Sequence, residues 1–171
     1  MYMDATTCLL TRRSIRNFVS KKVDDCIIDE LLHAGMCAPS TGNQQPWQFL
    51  VVDSRDILNR LPEFLPNGAM LSQAQKAIVV CGDISRETYK GYWMVDCSAA
   101  TQNMLLAAHA QGLGACWLGV YPRKERIAHL QELFQMPQEI IPFSVIALGY
   151  TDVKSGPVDR FEKSRIHYNT W

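Results

Sequence analysis

A long apolar segment between residues 92 and 111 is the feature that most constrains the fold. Its apolar and small residues recur at helical spacing and cover more than one side of the helix that they predict: Val95, Ala99, Ala100, Met104, Leu105, Ala107 and Ala108. A surface helix shows one apolar stripe and an opposite polar face. We therefore predict a central helix from about Tyr92 to Gln111 that is mostly buried, against a sheet or against a partner subunit.

The rest of the chain alternates between helix and strand signals. Capping residues and apolar periodicity predict helices at about 5–12, from Asp24 or Asp25 to before Pro39, from Ser54 to about 61, and from Pro122 or Arg123 to about 134. Branched and aromatic runs predict strands at 48–52, 77–81, 115–120 and 140–148. Gly112 is placed at the C-terminal end of the central helix. Beyond Gly149 we predict an extended, irregular tail, and the interleaved elements predict one mixed α and β domain over residues 1–171.

The charges of the chain balance in total but not along the sequence. Seventeen Lys and Arg residues face 17 Asp and Glu residues, which argues against a protein that coats nucleic acid. Residues 1–22 nevertheless sum to +4 and residues 154–171 to +2, so that the middle sums to −6. Two basic ends around an acidic middle are a feature that needs an explanation.

Other function classes lack their sequence signals. No stretch reaches the ~18 apolar residues of a membrane span, and residues 1–10 do not resemble a signal peptide, so we expect a cytoplasmic location. The six cysteines and four histidines show no metal-ligand spacing, and no metal site is expected. We interpret the cysteines as small buried apolar residues.

The segment Arg12-Arg13-Ser14-Ile15-Arg16 has the composition of a phosphate site. Arg12 and Arg16 are four residues apart, on one side of a helix or turn, and Ser14 adds a hydroxyl between them. Guanidinium groups bind phosphate oxygens bidentately. The alternative is a basic helix end that complements the negative pole of the preceding helix.

Residues 38–49 read Ala-Pro-Ser-Thr-Gly-Asn-Gln-Gln-Pro-Trp-Gln-Phe and pass from a helix end into a strand. Their run of hydroxyl and amide groups could bind the edge of a planar heterocycle, with Pro46 and Trp47 as apolar walls. The alternative is a polar surface loop.

Two further segments carry weaker signals. Residues 112–122 begin with Gly-x-Gly, but Trp117 stands where a dinucleotide fingerprint needs its third glycine, which leaves only a backbone that a flat group can approach. In the tail, Lys163 and Arg165 alternate in an extended segment and would project to the same side. A charged and frayed terminus is the alternative there.

These four segments, in this order and spacing, resemble the nitroreductase family of FMN-dependent oxidoreductases over nearly the whole chain. The helix from Asp96 to Ala108, with Gln102-Asn103-Met104, running into Gly112-Leu113-Gly114 belongs to the same resemblance. It implies an α+β fold with a central mixed, mainly antiparallel β-sheet flanked by helices. It also implies a homodimer with FMN at the subunit interface, NADH or NADPH as electron donor, a small-molecule acceptor, and neither nucleic acid nor membrane as partner.

The resemblance assigns FMN contacts to positions in two segments. Arg12, Arg13, Ser14 and Arg16 match the first FMN segment, with Arg12 at the phosphate or ribityl chain and Arg16 near the pyrimidine side of the ring. The segment that the other subunit contributes is matched by Pro39, Ser40, Thr41, Asn43 and Gln45.

The remaining contacts implied by the resemblance lie further along the chain. Leu118 and Gly119 match the strand end whose backbone lies beside the flavin N5, and Asn67 matches an asparagine that contacts the ring. Lys163 and Arg165 match tail cations that close on the phosphate. No residue of the chain is expected to be catalytic, because the flavin carries the chemistry.

Three functional hypotheses remain. The first is an NAD(P)H oxidoreductase with a ping-pong cycle, in which a nitroaromatic, a quinone or a similar electron-poor acceptor replaces the nicotinamide after hydride transfer to N5. The second is an FMN-binding sensor or carrier, or a flavin-fragmenting or dehalogenating relative. The third is a flavin-free adaptor that uses the tryptophans at an interface: Trp47, Trp93, Trp117 and Trp171.

Overall fold

The computed structural model describes residues 3–154 and 156–171 as five helices and four strands. The helices are α1 (Ala5–Thr11), α2 (Asp25–Met36), α3 (Arg55–Phe64), α4 (Trp93–Ala110) and α5 (Lys124–Phe134). The strands are β1 (Trp47–Val52), β2 (Lys76–Asp83), β3 (Gly114–Gly119) and β4 (Ile140–Gly149). Short 3₁₀ turns occur at Thr41–Asn43, Ala69–Ser72, Ile84–Arg86 and Lys163–Arg165. Each predicted helix and strand is present.

The four strands form one sheet in the order β1-β2-β4-β3. All three strand pairings are antiparallel, and Ser14 adds a single parallel bridge to Ala115 at the outer edge of β3. The register shifts between Val80 and Cys81, opposite Pro142, which has no N–H to give to a ladder. The predicted central, mainly antiparallel sheet is confirmed, and the Ser14–Ala115 bridge is its parallel contact within the described residues.

Helices cover both faces of the sheet. Its two central strands, β2 and β4, are therefore buried over most of their length. On one face Ile78, Val80 and Ile146 pack beneath α2 and α4. On the other face the alternate residues, such as Val79 and Val145, pack beneath α3 and α5. The period of two along each strand therefore gives two apolar faces, and both need a helical layer.

Helix α4 lies against the sheet and α2, as the apolar segment predicted. One side of it is buried through Cys97, Ala100 and Met104, but Val95 on another side is 57% exposed. Gly112, with φ of +76°, ends this helical region as predicted.

Some boundaries and local conformations differ from the predictions. Helix α1 ends at Thr11, and Arg12 is extended with ψ of 130°, so the prediction that Arg12 and Arg16 share a helix or turn is wrong. Helix α3 continues past Pro62, and α5 begins only at Lys124.

Residues 12–19 pass the start of β3 and the end of β4. The Ile15 N–H donates to Ala115 O at 2.9 Å, and the Val19 N–H donates to Tyr150 O at 2.8 Å. The approach is close because a Cβ at Gly114 would lie 2.7 Å from the Ile15 side chain. A glycine is therefore needed at the start of β3 for the N-terminal segment to reach the sheet.

The tail and two of the cysteines expose more apolar surface than expected. Phe161, Tyr168 and Trp171 are 76%, 77% and 100% exposed. Four cysteines are buried, but Cys26 and Cys37 are exposed, so the prediction of burial is wrong for these two.

Of the helices in the described ranges, none combines the length and the apolar character that crossing a membrane requires.

Candidate functional site

A cavity of about 550 Å³ opens at the C-terminal end of β3. We call it the Arg16 cavity, and its lining residues are Arg16, Asn17, Leu65, Pro66, Asn67, Ala69, Met70, Gln73, Cys116, Trp117, Leu118, Gly119 and Arg126. It brings together four of the predicted site residues, Arg16, Asn67, Leu118 and Gly119, from three separate parts of the sequence.

Buried anchors place the polar groups of this cavity. Met70 and Leu71 are buried in the core and hold the 3₁₀ turn Ala69–Ser72, so that Asn67 before the turn and Gln73 after it reach the cavity. At the end of β3, a Cβ on Gly119 would meet no atom within 4 Å. The backbone there is open to a flat group.

The charged groups that line the Arg16 cavity are both arginines. Arg16 is exposed, whereas Arg126 is half-buried on α5 and donates from Nη1 to Gly119 O at 2.7 Å. Burial raises the pKa of the Cys116 thiol, an effect that Arg16 and Arg12 partly oppose. Cys116 is therefore a neutral wall residue at pH 7 rather than a thiolate nucleophile.

Sequence reasoning missed several residues of this cavity. Asn17, Gln73 and Arg126 line it but belong to none of the four segments. Asn17 directly follows Arg16 and could have been found from that position. Arg126 had no such signal, because the connection at residues 120–123, which brings it back to Gly119, shows no periodic pattern.

A second cavity of about 490 Å³ lies between the end of α1 and the tail. We call it the Arg12 cavity, and it is lined by Leu9, Leu10, Arg12, Arg13, Pro157, Val158, Asp159, Arg160 and Phe161. The two basic ends of the chain do meet here. The cation that the tail contributes is Arg160, which was not among the residues predicted from the sequence.

Two predicted residues near the Arg12 cavity have intramolecular partners. Arg13 donates to Arg12 O and Leu10 O at 2.6 and 3.0 Å, which matches the alternative of a cation at a helix C-terminus. Arg165 forms an ion pair with Glu162 within a 3₁₀ turn. The predicted extended arrangement of Lys163 and Arg165 is therefore wrong, and neither residue lines the cavity.

His109 connects the end of α1 to the last turn of α4. The Thr11 hydroxyl donates to Thr7 O at 2.6 Å and so accepts from His109 Nε2, 2.8 Å away. Burial lowers the pKa of His109, and Arg12 and Arg13 lower it further. The neutral imidazole is thus favoured at pH 7, and this hydrogen bond then selects its Nε2–H tautomer.

A buried carboxylate holds the loop between α2 and β1. Asp96, in the first turn of α4, is 2% exposed. Its Oδ1 accepts from the Thr41 N–H and hydroxyl at 2.9 and 3.1 Å, and its Oδ2 accepts from Gln44 Nε2 at 2.7 Å. Gln44 Oε1 in turn accepts from the N–H groups of Thr88 and Tyr89 at 3.0 and 3.1 Å.

These bonds hold the loop in a conformation that most residues avoid. Gly42, Asn43 and Gln45 have φ values of +55°, +57° and +46°, in the left-handed region. A Cβ at Gly42 would collide with the Tyr89 ring. Sequence reasoning missed Asp96 and Gln44 as positioning residues, although a carboxylate in an otherwise apolar helix is the signal that could have found them.

The loop and the two cavities do not meet within one chain. Pro39, Asn43 and Gln45 are exposed, while Ser40 and Thr41 are half-buried. Within residues 3–154 and 156–171, the walls of both cavities contain no residue from 39–45.

Comparisons with known proteins decide the family. The family model described as "Nitroreductase family" matches residues 9–83 and 63–150. The chain belongs to the nitroreductase family. A relative from Methanothermobacter thermautotrophicus, provisionally named NADH dehydrogenase/NAD(P)H nitroreductase, is 47% identical over 169 residues, which cover 99% of this chain and 88% of the relative.

Solved nitroreductase structures share the fold. A Parabacteroides distasonis protein with the same provisional name is 40% identical, with a TM-score of 0.93 and coverage of 98% of this chain and 100% of the other. A provisionally named nitroreductase from Desulfovibrio desulfuricans, solved in complex with FMN, is 31% identical, with a TM-score of 0.84 and coverage of 97% and 96%. The nitroreductase-like α+β fold predicted for the chain is thereby confirmed.

The Asp96 network makes a prediction for this nitroreductase that is independent of any ligand. Asp96→Asn places an amide nitrogen opposite the Gln44 amide nitrogen, so two donors face each other, and we expect a loss of about 1–3 kcal/mol in the free energy of unfolding. Adding Gln44→Glu restores a donor–acceptor pair, and the double variant should regain most of that loss. Urea unfolding of the single and double variants measures the effect.

Asp83→Asn is the matched control, because Asp83 caps Ser85 at an accessible site and asparagine caps as well as aspartate. It should change the unfolding free energy by less than about 0.5 kcal/mol. A double variant no more stable than Asp96→Asn alone would contradict the pairing of Asp96 with Gln44.

Proposed function

We propose that this chain is an FMN-dependent NAD(P)H oxidoreductase of nitroreductase type. It works as a homodimer, with ping-pong transfer of a hydride from NAD(P)H to a nitroaromatic, a quinone or a similar electron-poor acceptor. The observation that carries the proposal is the pair of cationic cavities joined by residues 12–16, in a chain of the family to which an FMN-complexed structure belongs.

The Arg16 cavity has the properties of a site for the flavin ring. Its volume falls within the range of about 300–1,000 Å³ that is usual for small-ligand pockets. The open backbone at Gly119 suits a flat ring, and the amides of Asn17, Asn67 and Gln73 suit its carbonyl and imino groups.

The Arg12 cavity fits the other end of the same ligand. Helix α1 ends at Thr11 and Ser14 bridges Ala115, so Arg12 and Arg16 each line a different cavity, as contacts at separate points along one elongated ligand. Arg12, Arg13 and Arg160 supply cations for a phosphate of nearly two negative charges. The FMN contacts proposed for Ser14, Lys163 and Arg165 rest on the resemblance alone.

The chain's own residues position the reactants and stabilise negative charge at the ring site. When bound, FMN supplies the two-electron chemistry between NAD(P)H and the acceptor. Arg16 stabilises negative charge at the pyrimidine side of the ring site. The Gly119 backbone leaves room for close approach, while Trp117 and Leu118 exclude water from that wall.

The homodimer completes the site with the loop of the second copy. The proposed contacts of Pro39, Ser40, Thr41, Asn43 and Gln45 need a partner subunit, because in one chain they line neither cavity.

The exposed side of α4 supports the dimer. Val95 and Leu106 are eleven residues apart and lie at nearly the same angle on the helix. Val95 is 57% exposed, and Leu106 lines an apolar groove with Met3, Ala5 and Ala110. Such a face is typical of a subunit interface.

The purified protein tests the function directly. We expect a yellow protein whose flavin absorbance is bleached by NADH or NADPH, with NAD(P)H consumption that rises strongly when a nitroaromatic or quinone is added. A yellow protein without acceptor-dependent turnover would instead indicate the FMN carrier or sensor. A colourless protein that does not bind added FMN would refute the proposal, and an adaptor has little support because Trp47 and Trp93 are buried.

Arg12→Ala tests the placement of the phosphate. It removes one charge-assisted contact of about 1.5–3 kcal/mol, so the FMN dissociation constant should rise about ten- to hundredfold while the unfolding midpoint changes little. Fluorescence titration of the FMN-free protein measures the constant. The control is Arg60→Ala, which removes an exposed arginine of α3 that lines neither cavity. Equal FMN affinity in both variants would place the phosphate elsewhere.

Val95→Asp tests the dimer. A charge on the apolar side of α4 should shift the sedimenting mass from twice the 19.4 kDa chain mass toward a single chain, and FMN should be lost with it. Val51→Asp, on the exposed edge strand β1, is the control and should leave both unchanged. A Val95→Asp protein that stays dimeric and yellow would show that this face is not the interface.

A further inference from the structure

The Arg16 cavity is asymmetric in charge. Thirteen residues line it, of which Arg16 and Arg126 are charged, and no carboxylate is among them. Asn17, Asn67 and Gln73 are its other strongly polar side chains. A partly enclosed cavity with two guanidinium groups and apolar walls has a positive potential that water screens only in part.

Arg126 is held in place but keeps most of its donors unused. The bond from Nη1 to Gly119 O, at 2.7 Å, fixes the guanidinium at the cavity wall and uses one of its five N–H groups. Across the part of the chain that the structure describes, Arg126 forms no ion pair and no second hydrogen bond. Its remaining N–H groups are available to a ligand.

The proposed flavin contacts do not include Arg126. In the proposed function, Arg16 stabilises negative charge at the ring site and Arg12 binds the phosphate. Arg126, whose guanidinium lies at the end of β3, takes part in neither contact. An immobilised and half-buried guanidinium pays little further entropy when it binds a carboxylate in a bidentate manner. It also repels cations.

From this geometry we propose that Arg126 is a specificity residue that selects acceptors carrying a carboxylate or another anionic group. The inference rests on the proposed function and adds the substrate class to it. A neutral acceptor of equal size gains no charge-assisted bond at Arg126, and an ammonium-bearing one is disfavoured.

The matched acceptors 4-nitrobenzoate, 4-nitrobenzamide and 4-nitrobenzylamine test the proposal on the holoenzyme. They share a nitroaromatic ring and differ mainly in the charge of one substituent at pH 7. We expect kcat/KM to be about tenfold higher for the carboxylate than for the amide, and lower again for the ammonium. The preference should shrink as ionic strength rises.

Variants at Arg126 and Arg123 distinguish the effect of Arg126 itself from the positive potential of the cavity as a whole. Arg126→Gln should bring the carboxylate-to-amide ratio close to one, mainly through KM for 4-nitrobenzoate, and Arg126→Lys should restore part of the preference. Arg123→Gln removes an exposed cation that caps the same helix but does not line the cavity, and it should leave the ratio unchanged.

Equilibrium binding gives a readout that does not depend on turnover. Calorimetric titration with benzoate and benzamide, which cannot be reduced through a nitro group, should show tighter binding of benzoate in the wild type and in Arg123→Gln. That difference should be lost in Arg126→Gln.

Several outcomes would overturn the inference while leaving the proposed function intact. One is a wild type that turns over all three acceptors equally. Another is an Arg126→Gln variant that loses FMN and slows every acceptor alike, which would make Arg126 a flavin contact. A third is a variant that changes only KM for NADPH relative to NADH, which would assign the arginine to the donor's phosphate. Failure of the proposed function is distinguishable, because the wild type would then not be bleached by NAD(P)H.

Discussion

The outer edge of β3 is the constraint on which both cavities depend. An edge strand presents unpaired N–H and C=O groups that must be covered. Ser14 and Ile15 cover the start of this edge, with Ile15 bonded to Ala115 and packed on Gly114. The same extended path leaves α1 and passes the sheet, and it therefore delivers Arg12 to one cavity and Arg16 to the other. A backbone contact at the sheet edge thus helps to place both arginines.

Asp96 plays a comparable part on the other side of α4. A buried carboxylate costs free energy unless hydrogen bonds replace its water, and Thr41 and Gln44 supply three such bonds. The N-terminal turn of α4 also favours a negative charge. In return, the carboxylate holds a loop in which Gly42, Asn43 and Gln45 have left-handed backbones, a conformation that is costly for the two residues that are not glycine. The loop is therefore rigid enough to present its exposed residues to a second molecule while it contributes nothing to the cavities of its own chain.

The difference between what could and could not be predicted follows from the range of the interactions. The helices and strands follow from local periodicity, and the open backbone at Gly119 follows from a glycine in a strand, so both could be found in sequence. Arg126 could not, because its bond to Gly119 depends on the conformation of residues 120–123, which neither helical nor strand periodicity describes. Lys163 and Arg165 were expected to alternate in an extended tail, but the adjacent Glu162 pairs with Arg165 and closes a 3₁₀ turn. A local ion pair of this kind competes with the contact between the tail cations and a distant anion, which the alternation of Lys163 and Arg165 suggests.

The cations around the two cavities are not all held in place in the same way. Arg12, Arg16 and Arg126 are placed by the sheet and its helices within one chain, through backbone pairing at Ala115 and the carbonyl of Gly119. The tail cations follow a segment whose large apolar residues are exposed, and apolar side chains of that size gain about 1.5–3 kcal/mol each when another surface buries them. In the proposed dimer the second subunit supplies such a surface. The positions of Arg12, Arg16 and Arg126 would then be set within the chain, while closure over the phosphate would be a property of the assembly, because burial of the tail's apolar residues and placement of its cations occur in the same step.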